Sequence, residues 1–474
     1  MPRYTAWRLL RSGSPTPLRD VDAYAAERGL DGRDRGLLRR MMGTEIRRRA
    51  TLRAILRTYA HGKPSADFAA HLHLALVQAL FLDRIPDHAL TSETLALVDQ
   101  TCLPADVRNA KGILRAVLLS RTRGHTGNPR RDLIGRPMAL DRDVFHDPVE
   151  HPLLWAEDAL SIPAQLMKGW VARFGEARAR ELAISALDEP ELSLRAAGAS
   201  REAVAAELAA LGIATRPGTH PRILLAASEL AERVIDSAPM AEGRVTIQGE
   251  SALRAAEAMG AEAGERLLDL CAAPGGKTAV LAAAGASVVA CDVDERRLER
   301  LRGTLARLGL AERVETRASD GTRSLPEELF DGVLVDAPCT NTGVLAGRPE
   351  ARWRYGPKAR ADLVTLQARL LREGAARVRP GGRLVWSTCS LEPDENARQV
   401  RAFLETAPEF TLEEEALALP SAPTPPSAHH PQGDADAGPT PADPLVPVVL
   451  ETPGPESGAG PIDGGYFARL RRYR

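Results

Sequence analysis

Apolar residues recur at intervals of three and four through the first quarter of the chain, in LLRRMMGTEI, AAHLHLALVQALFL and KGILRAVLLS, with breaks at HGKPS and DRIPDH. That period draws one apolar stripe along each helix, so an all-helical bundle is predicted over about residues 34–122, within a first domain of residues 1–125. The next stretch, RTRGHTGNPRRDLIGRP, is rich in Arg, Gly and Pro and reads as a linker or extended basic loop over 126–150. Over 151–245 the helical pattern LWAEDALSIPAQLMKGWVARFG gives way to the short apolar runs LSLRAAG and RILLAAS, which predicts a small α+β subdomain. Beyond residue 246 the apolar runs ending at LLDLC, SVVACD, DGVLVDAPC and GGRLVWSTCS alternate with helical segments, the pattern of a doubly wound α/β domain. One of those segments, DERRLERLRGTLARLGL, lines up Leu298, Leu301, Leu305 and Leu308 and ends at Gly309, a suitable C-cap. Residues 416–460 are dominated by Pro, Ala, Ser and Gly and are expected to form a mobile insertion. GGYFARLRRYR then alternates as a closing strand should.

Composition adds little to this picture and charge somewhat more. A chain of 474 residues supports two or three domains, and 44% hydrophobic with 26% charged residues is ordinary for a globular protein. Sixty-two basic against 63 acidic residues give a net charge of -1, which announces no nucleic-acid partner. Locally, however, Arg33, Arg35, Arg39, Arg40, Arg47, Arg48, Arg49, Arg53 and Arg57 crowd one stretch of the bundle. A solvated helix face explains such a run as well as an RNA-binding surface does. No window is apolar enough to span a membrane, and MPRYTAWRLLRSGSPTP lacks the apolar core of a secretory signal, so a cytoplasmic location is expected. Cys102, Cys271, Cys291, Cys339 and Cys389 are odd in number and contain no CxxC pair, so neither a disulfide framework nor zinc is expected. The ten histidines show no metal-ligand spacing either, and His429 and His430 fall in the insertion.

The candidate chemistry lies at strand ends. LLDLCAAPGGKT puts a carboxylate and a Gly-rich turn between a strand and a helix, where open α/β sheets bind ligands. A phosphate loop is excluded by spacing, because the first glycine of GxxxxGK[ST] would fall at Cys271, and GxGxxG is absent. Asp292 ends the next strand, placed to accept hydrogen bonds from ribose hydroxyls, whereas Asp294 is the better helix cap. Asp320, in ASDG, suits the adenine end of a nucleoside, with a turn role as the competing explanation. Cys339 follows the run FDGVLVDAP and Cys389 follows GGRLVWST, which sets two thiols on the same sheet edge as the glycine turn. Isolated cysteines are by default small buried hydrophobes, the role expected of Cys271 and Cys291, while Cys102 belongs to the bundle. Two thiols at one crevice fit pyrimidine methylation: thiolate addition at carbon 6 makes carbon 5 nucleophilic, and a second group helps the carbon 5 proton leave.

DLCAAPGGKT, VLVDAPCTNTGV and STCSLEPDENARQV together resemble the motifs of the Sun/RsmB family of RNA cytosine-5 methyltransferases. DRGLLRRMMGTEIRRR and ALFLDRIPDHAL resemble the NusB-like RNA-binding domain that bacterial members carry, and IQGESALRAAEAM and DGGYFARLRR resemble the family's flanking segments. The resemblance implies a NusB-like bundle followed by a Rossmann-like methyltransferase domain, with S-adenosylmethionine as cofactor and ribosomal RNA of the small subunit as partner. It also implies the roles of individual residues. Cys271, Ala272, Ala273, Pro274, Gly275, Gly276 and Lys277, with Asp292, Asp320 and Asp336, would hold the cofactor. Cys389 would be the nucleophile and Cys339 would assist product release. In DNA cytosine-5 methyltransferases the PC cysteine attacks instead, so the resemblance, and not the chemistry of the residues, assigns the two thiols. A monomer without membrane or metal partner is expected. The competing classes are a non-catalytic NusB-like RNA-binding or antitermination protein and a methyltransferase acting on DNA or a small molecule.

Overall fold

The apolar stripes of the N-terminal helices close on one another in the computed structural model, which describes residues 1–83, 85–323, 325–420, 449–450 and 463–473. The chain divides into two compact units. The first contains Met1–Glu189 and, from far along the sequence, Leu345–Tyr355. Its long helix Gly32–Tyr59 starts where Asp31 Oδ1 accepts the Asp34 N–H at 2.7 Å. Leu38, Met41, Met42 and Ile46 on this helix pack with Ala6, Leu9 and Val21. The helix Ala66–Leu80 is apolar almost all round and accordingly buried on nearly every side.

The Arg-, Gly- and Pro-rich stretch expected to be a linker is folded into this unit. Strand β1 (Arg121–Arg123) pairs antiparallel with β2 (Met138–Leu140). Asp132 orders the turn between them, accepting the Thr126 N–H at 2.8 Å, the Thr126 hydroxyl at 2.7 Å and the Gly127 N–H at 2.9 Å. The helices Pro152–Leu160 and Ala164–Ser185 also belong here, burying Trp155, Leu160, Leu166 and Trp170. The boundary between compact units thus falls between Glu189 and Pro190, not at residue 151. Within the same unit Leu345–Tyr355 is anchored by Arg352, which is fully buried. Its guanidinium donates to the carbonyls of Arg47 and Ser161 at 3.2 Å and of Ala186 at 2.5 Å. Trp353 Nε1 donates to the Ile46 carbonyl at 2.7 Å.

The second unit, Pro190–Val344 with Gly356–Arg474, contains two sheets. The smaller is antiparallel, ordered β4 (Thr215–Pro217), β5 (Ile223–Ala226), β3 (Leu192–Ala196) and β6 (Val245–Ile247). Its core joins Leu194, Ala196 and Leu224 to Val204 and Leu208 of the helix Arg201–Ala210. The larger sheet is mixed. Parallel strands β7 (Arg266–Leu270), β8 (Ser287–Asp292), β9 (Val314–Ala318), β10 (Phe330–Asp336) and β11 (Val378–Thr388) run in the order β11-β10-β7-β8-β9. Antiparallel β14 (Gly465–Arg472) extends it beside β11, followed by β12 (Phe410–Ala418) and β13 (Val449–Leu450). Strands β7, β10 and β11 are apolar runs because helices cover both faces of a parallel sheet. Residues 416–418, assigned from sequence to a mobile insertion, instead complete β12, and 421–448 and 451–462 lie outside the described residues.

Register brings the strand ends level. Leu270 lies opposite Val335 and Cys291, Asp292 opposite Ala318, and Asp336 opposite Ser387. The loops after β7, β8, β9, β10 and β11 therefore leave from one edge of the sheet.

Candidate active site

At the end of β7 the backbone turns sharply. Cys271 adopts φ +61° and Gly275 φ +99°, and the helix Gly276–Ala283 follows at once. Gly275 is required twice over: its φ is left-handed, and a Cβ would sit 2.8 Å from Leu301 Cγ. Asp269, near the end of the strand, is sealed from solvent and accepts the Thr278 hydroxyl at 2.6 Å. Burial pushes its pKa up to about 7, and Oδ1 has no hydrogen-bond partner among the described residues. That orphaned acceptor, beside a glycine turn and a helix N-terminus, fits the ammonium and carboxylate of an amino-acid moiety.

Asp292 is also buried. Its Oδ2 accepts the Ala273 N–H at 3.1 Å, and its Oδ1 accepts the Asp294 N–H at 3.1 Å and lies 3.2 Å from Arg297 Nη1. Asp294 caps the helix Glu295–Arg307 by accepting the N–H groups of Arg296 at 2.9 Å and Arg297 at 3.3 Å. Asp320 is exposed, and its Oδ1 accepts from the N–H groups of Thr322 at 2.9 Å and Arg323 at 2.7 Å, which is turn geometry and holds its pKa down. Lys277 Nζ reaches across to Asp336 Oδ2 at 2.7 Å, tying the glycine turn to the end of β10.

Cys339 and Cys389 leave the ends of the adjacent strands β10 and β11, and their sulfurs are 3.2 Å apart. Asn341 spans the pair: Nδ2 donates to the Cys339 carbonyl at 2.6 Å, and Oδ1 accepts from Cys389 Sγ at 3.2 Å. Its φ of +61° is a conformation asparagine tolerates better than most residues. The hydrogen bond with Cys389 and then burial raise the Cys339 pKa well above the usual thiol value. The other cysteines differ. Burial pushes Cys291 up to about 12 and also raises Cys271 and Cys102, the last at a helix C-terminus.

Beneath the two thiols lies a carboxylate that the sequence motifs did not single out. Glu395 is fully buried, and Oε1 accepts the Thr340 N–H at 2.9 Å and Gln367 Nε2 at 3.0 Å. The hydroxyls of Thr340 and Ser390 both donate to Oε2. One side chain thereby joins the residue after Cys339 to the residue after Cys389. Further bonds join the same loops, Gly343 N–H to the Cys389 carbonyl at 3.0 Å and Leu391 N–H to the Thr342 hydroxyl at 2.9 Å. Among the described residues no group of His, Cys, Asp and Glu could hold a metal ion, and no helix is long and apolar enough to cross a membrane.

Residues 256–426 match the family model of 16S rRNA methyltransferase RsmB/F, and residues 12–118 match the NusB family. Ribosomal RNA small subunit methyltransferase B of Klebsiella pneumoniae (strain 342) is 38% identical over 241 residues, covering 49% of this chain and 48% of that protein. The protein of the same name from Salmonella arizonae is 44% identical over 179 residues, 37% of this chain and 41% of the relative. The chain thus spans under half the length of these curated relatives. Among solved structures, a methyltransferase homolog protein from Pyrococcus horikoshii is 25% identical with a TM-score of 0.51, covering 68% of this chain and 99% of that one. PH0851 shares the fold at a TM-score of 0.71 and 22% identity, covering 100% of this chain and 99% of its own.

Proposed function

We propose that this chain, whose residues 256–426 match the family model of 16S rRNA methyltransferase RsmB/F and whose residues 12–118 match the NusB family, methylates carbon 5 of a cytosine in small-subunit ribosomal RNA. S-adenosylmethionine is the cofactor, and when bound it supplies an electrophilic methyl group. The glycine turn from Cys271 to Lys277, with Asp292, Asp320 and Asp336, would hold it, with Asp336 also near the base. Cys389 adds as thiolate to carbon 6 of the cytosine, and the displaced electron pair makes carbon 5 nucleophilic. After carbon 5 is methylated its proton passes to a water molecule, the electron pair of that carbon–hydrogen bond re-forms the double bond between carbons 5 and 6, and the carbon–sulfur bond breaks so that Cys389 leaves as thiolate. Cys339 assists that release from beside the attacking sulfur.

The observation that carries this reading is the 3.2 Å approach of two thiols at the ends of adjacent strands, on the sheet edge that also bears the glycine turn. A methyltransferase acting on oxygen or nitrogen has no use for the pair. Incubation of unmodified small-subunit rRNA with the protein and S-adenosylmethionine, followed by bisulfite sequencing, tests the substrate. One newly protected cytosine is expected; methyl incorporation without a protected cytosine would overturn the assignment.

A further inference from the structure

The arginine run of the first helical unit resolves into three groups in the structure. Arg33, Arg39 and Arg40 are exposed and Arg35 half-buried near the start of the helix Gly32–Tyr59, whereas Arg47 and Arg48 are buried and donate to the carbonyls of Ala346 and Ile134 at 2.9 and 2.6 Å. Arg49, Arg53 and Arg57 line an open cavity of about 740 Å³, to which Arg11 and Lys63 also contribute. Buried Glu45 lies in its wall, paired with Arg49 at 2.7 Å and with His73 at 2.9 Å. Arg57 pairs with Asp158 and Arg11 with Asp67, each at 2.6 Å. Arg53 and Lys63 have no carboxylate at ion-pair distance among the described residues. The Arg53 guanidinium lies 5.9 Å from the centre of the Trp353 ring and that of Arg49 5.8 Å.

Arg49, Arg53 and Arg57 stand four residues apart on one helix, so their backbone positions rise by about 6 Å per step, commensurate with the phosphates of an extended single strand. Leu10 and Leu56 add apolar wall against which a base can rest. We propose that this cavity is a docking site for a single-stranded segment of the RNA substrate, with Arg53 and Lys63 meeting phosphates and Arg49 and Arg57 flanking them. The ligand chemistry is a phosphodiester chain with an unstacked base, and the assignment rests on RNA being the substrate. Burial and the neighbouring charge of Arg49 lower the Arg53 pKa, against the opposing pull of Glu45 and Glu157.

The test compares full-length Arg53→Ala/Lys63→Ala with Arg33→Ala/Arg40→Ala, which removes the same charge from the helix outside the cavity. Filter binding to an rRNA transcript across a salt series is the readout. The cavity variant should bind about tenfold more weakly at low salt, and its salt slope should be shallower by about 1.4, roughly 0.7 for each single-strand phosphate no longer neutralised. The KM for RNA should rise with kcat, cofactor affinity and melting temperature unchanged, and the control variant should stay within about twofold of wild type. Equal loss in both variants, or none in the cavity variant while the wild type binds and methylates RNA, overturns the cavity proposal alone. A wild-type protein that binds no RNA overturns the underlying functional reading as well.

Discussion

A carboxylate sealed from water is tolerable only when its lone pairs are met, and Glu395 meets two donors on each oxygen, from Thr340, Gln367 and Ser390. Burial raises its pKa above the ordinary carboxylate value while these donors pull it down, so hydrogen bonding is what makes the site hold together. Glutamine can satisfy the same set: its oxygen accepts from the Thr340 N–H and Gln367, and its amide donates to two hydroxyls that rotate to accept. Alanine strands every donor. Glu395→Ala should therefore cost about 3 kcal/mol and at least about tenfold in methylation, whereas Glu395→Gln should cost less than about 1 kcal/mol. Chemical denaturation and methyl-transfer assays of the two variants check this, and equal losses would show that charge, and not hydrogen bonding, matters. The sequence made the cysteines legible because their flanking motifs are local. Glu395 was hidden because its partners Gln367 and Thr340 lie 28 and 55 residues away. Asp320 was legible only as a choice between ligand and turn, and both remain consistent with its exposed turn geometry.

At the scale of elements, the strand ends follow from alternation of apolar runs and amphipathic helices, which is why the site edge could be read from sequence. The Asp294 cap and the buried Leu298, Leu301 and Leu305 stripe also follow from local pattern. Gly275 shows what pattern leaves out, namely that the turn after β7 presses against Leu301 of the helix Glu295–Arg307. Gly275→Ala adds a clash to a left-handed φ and should destabilise by about 2–3 kcal/mol. Because the same turn is assigned to the cofactor, calorimetry should also show weaker S-adenosylmethionine binding. Unchanged melting temperature and affinity would mean the turn relaxes freely. The stretch read as a linker or extended basic loop follows a related rule: Arg, Gly and Pro mark loops in general, and here Asp132 gathers three donors and fixes one.

For the whole molecule, the chain leaves the second unit after Val344, supplies Leu345–Tyr355 to the helical unit, and returns at Gly356. No composition shift marks that excursion, since Arg352 is an ordinary charged residue in sequence and becomes a buried hub only through distant carbonyls. The fold thus supports a division of labour, with an arginine-lined cavity in one unit and paired thiols in the other. The central claim is that Cys389 attacks and Cys339 releases, and a denaturing gel of each alanine variant with rRNA and S-adenosylmethionine measures it directly. Cys389→Ala should give neither methylation nor an RNA adduct, because no thiolate adds to carbon 6. Cys339→Ala should turn over poorly and retain methylated RNA bound covalently through Cys389. An adduct that persists in the Cys389 variant and is missing from the Cys339 variant would reverse the roles, and adducts in neither would contradict the mechanism.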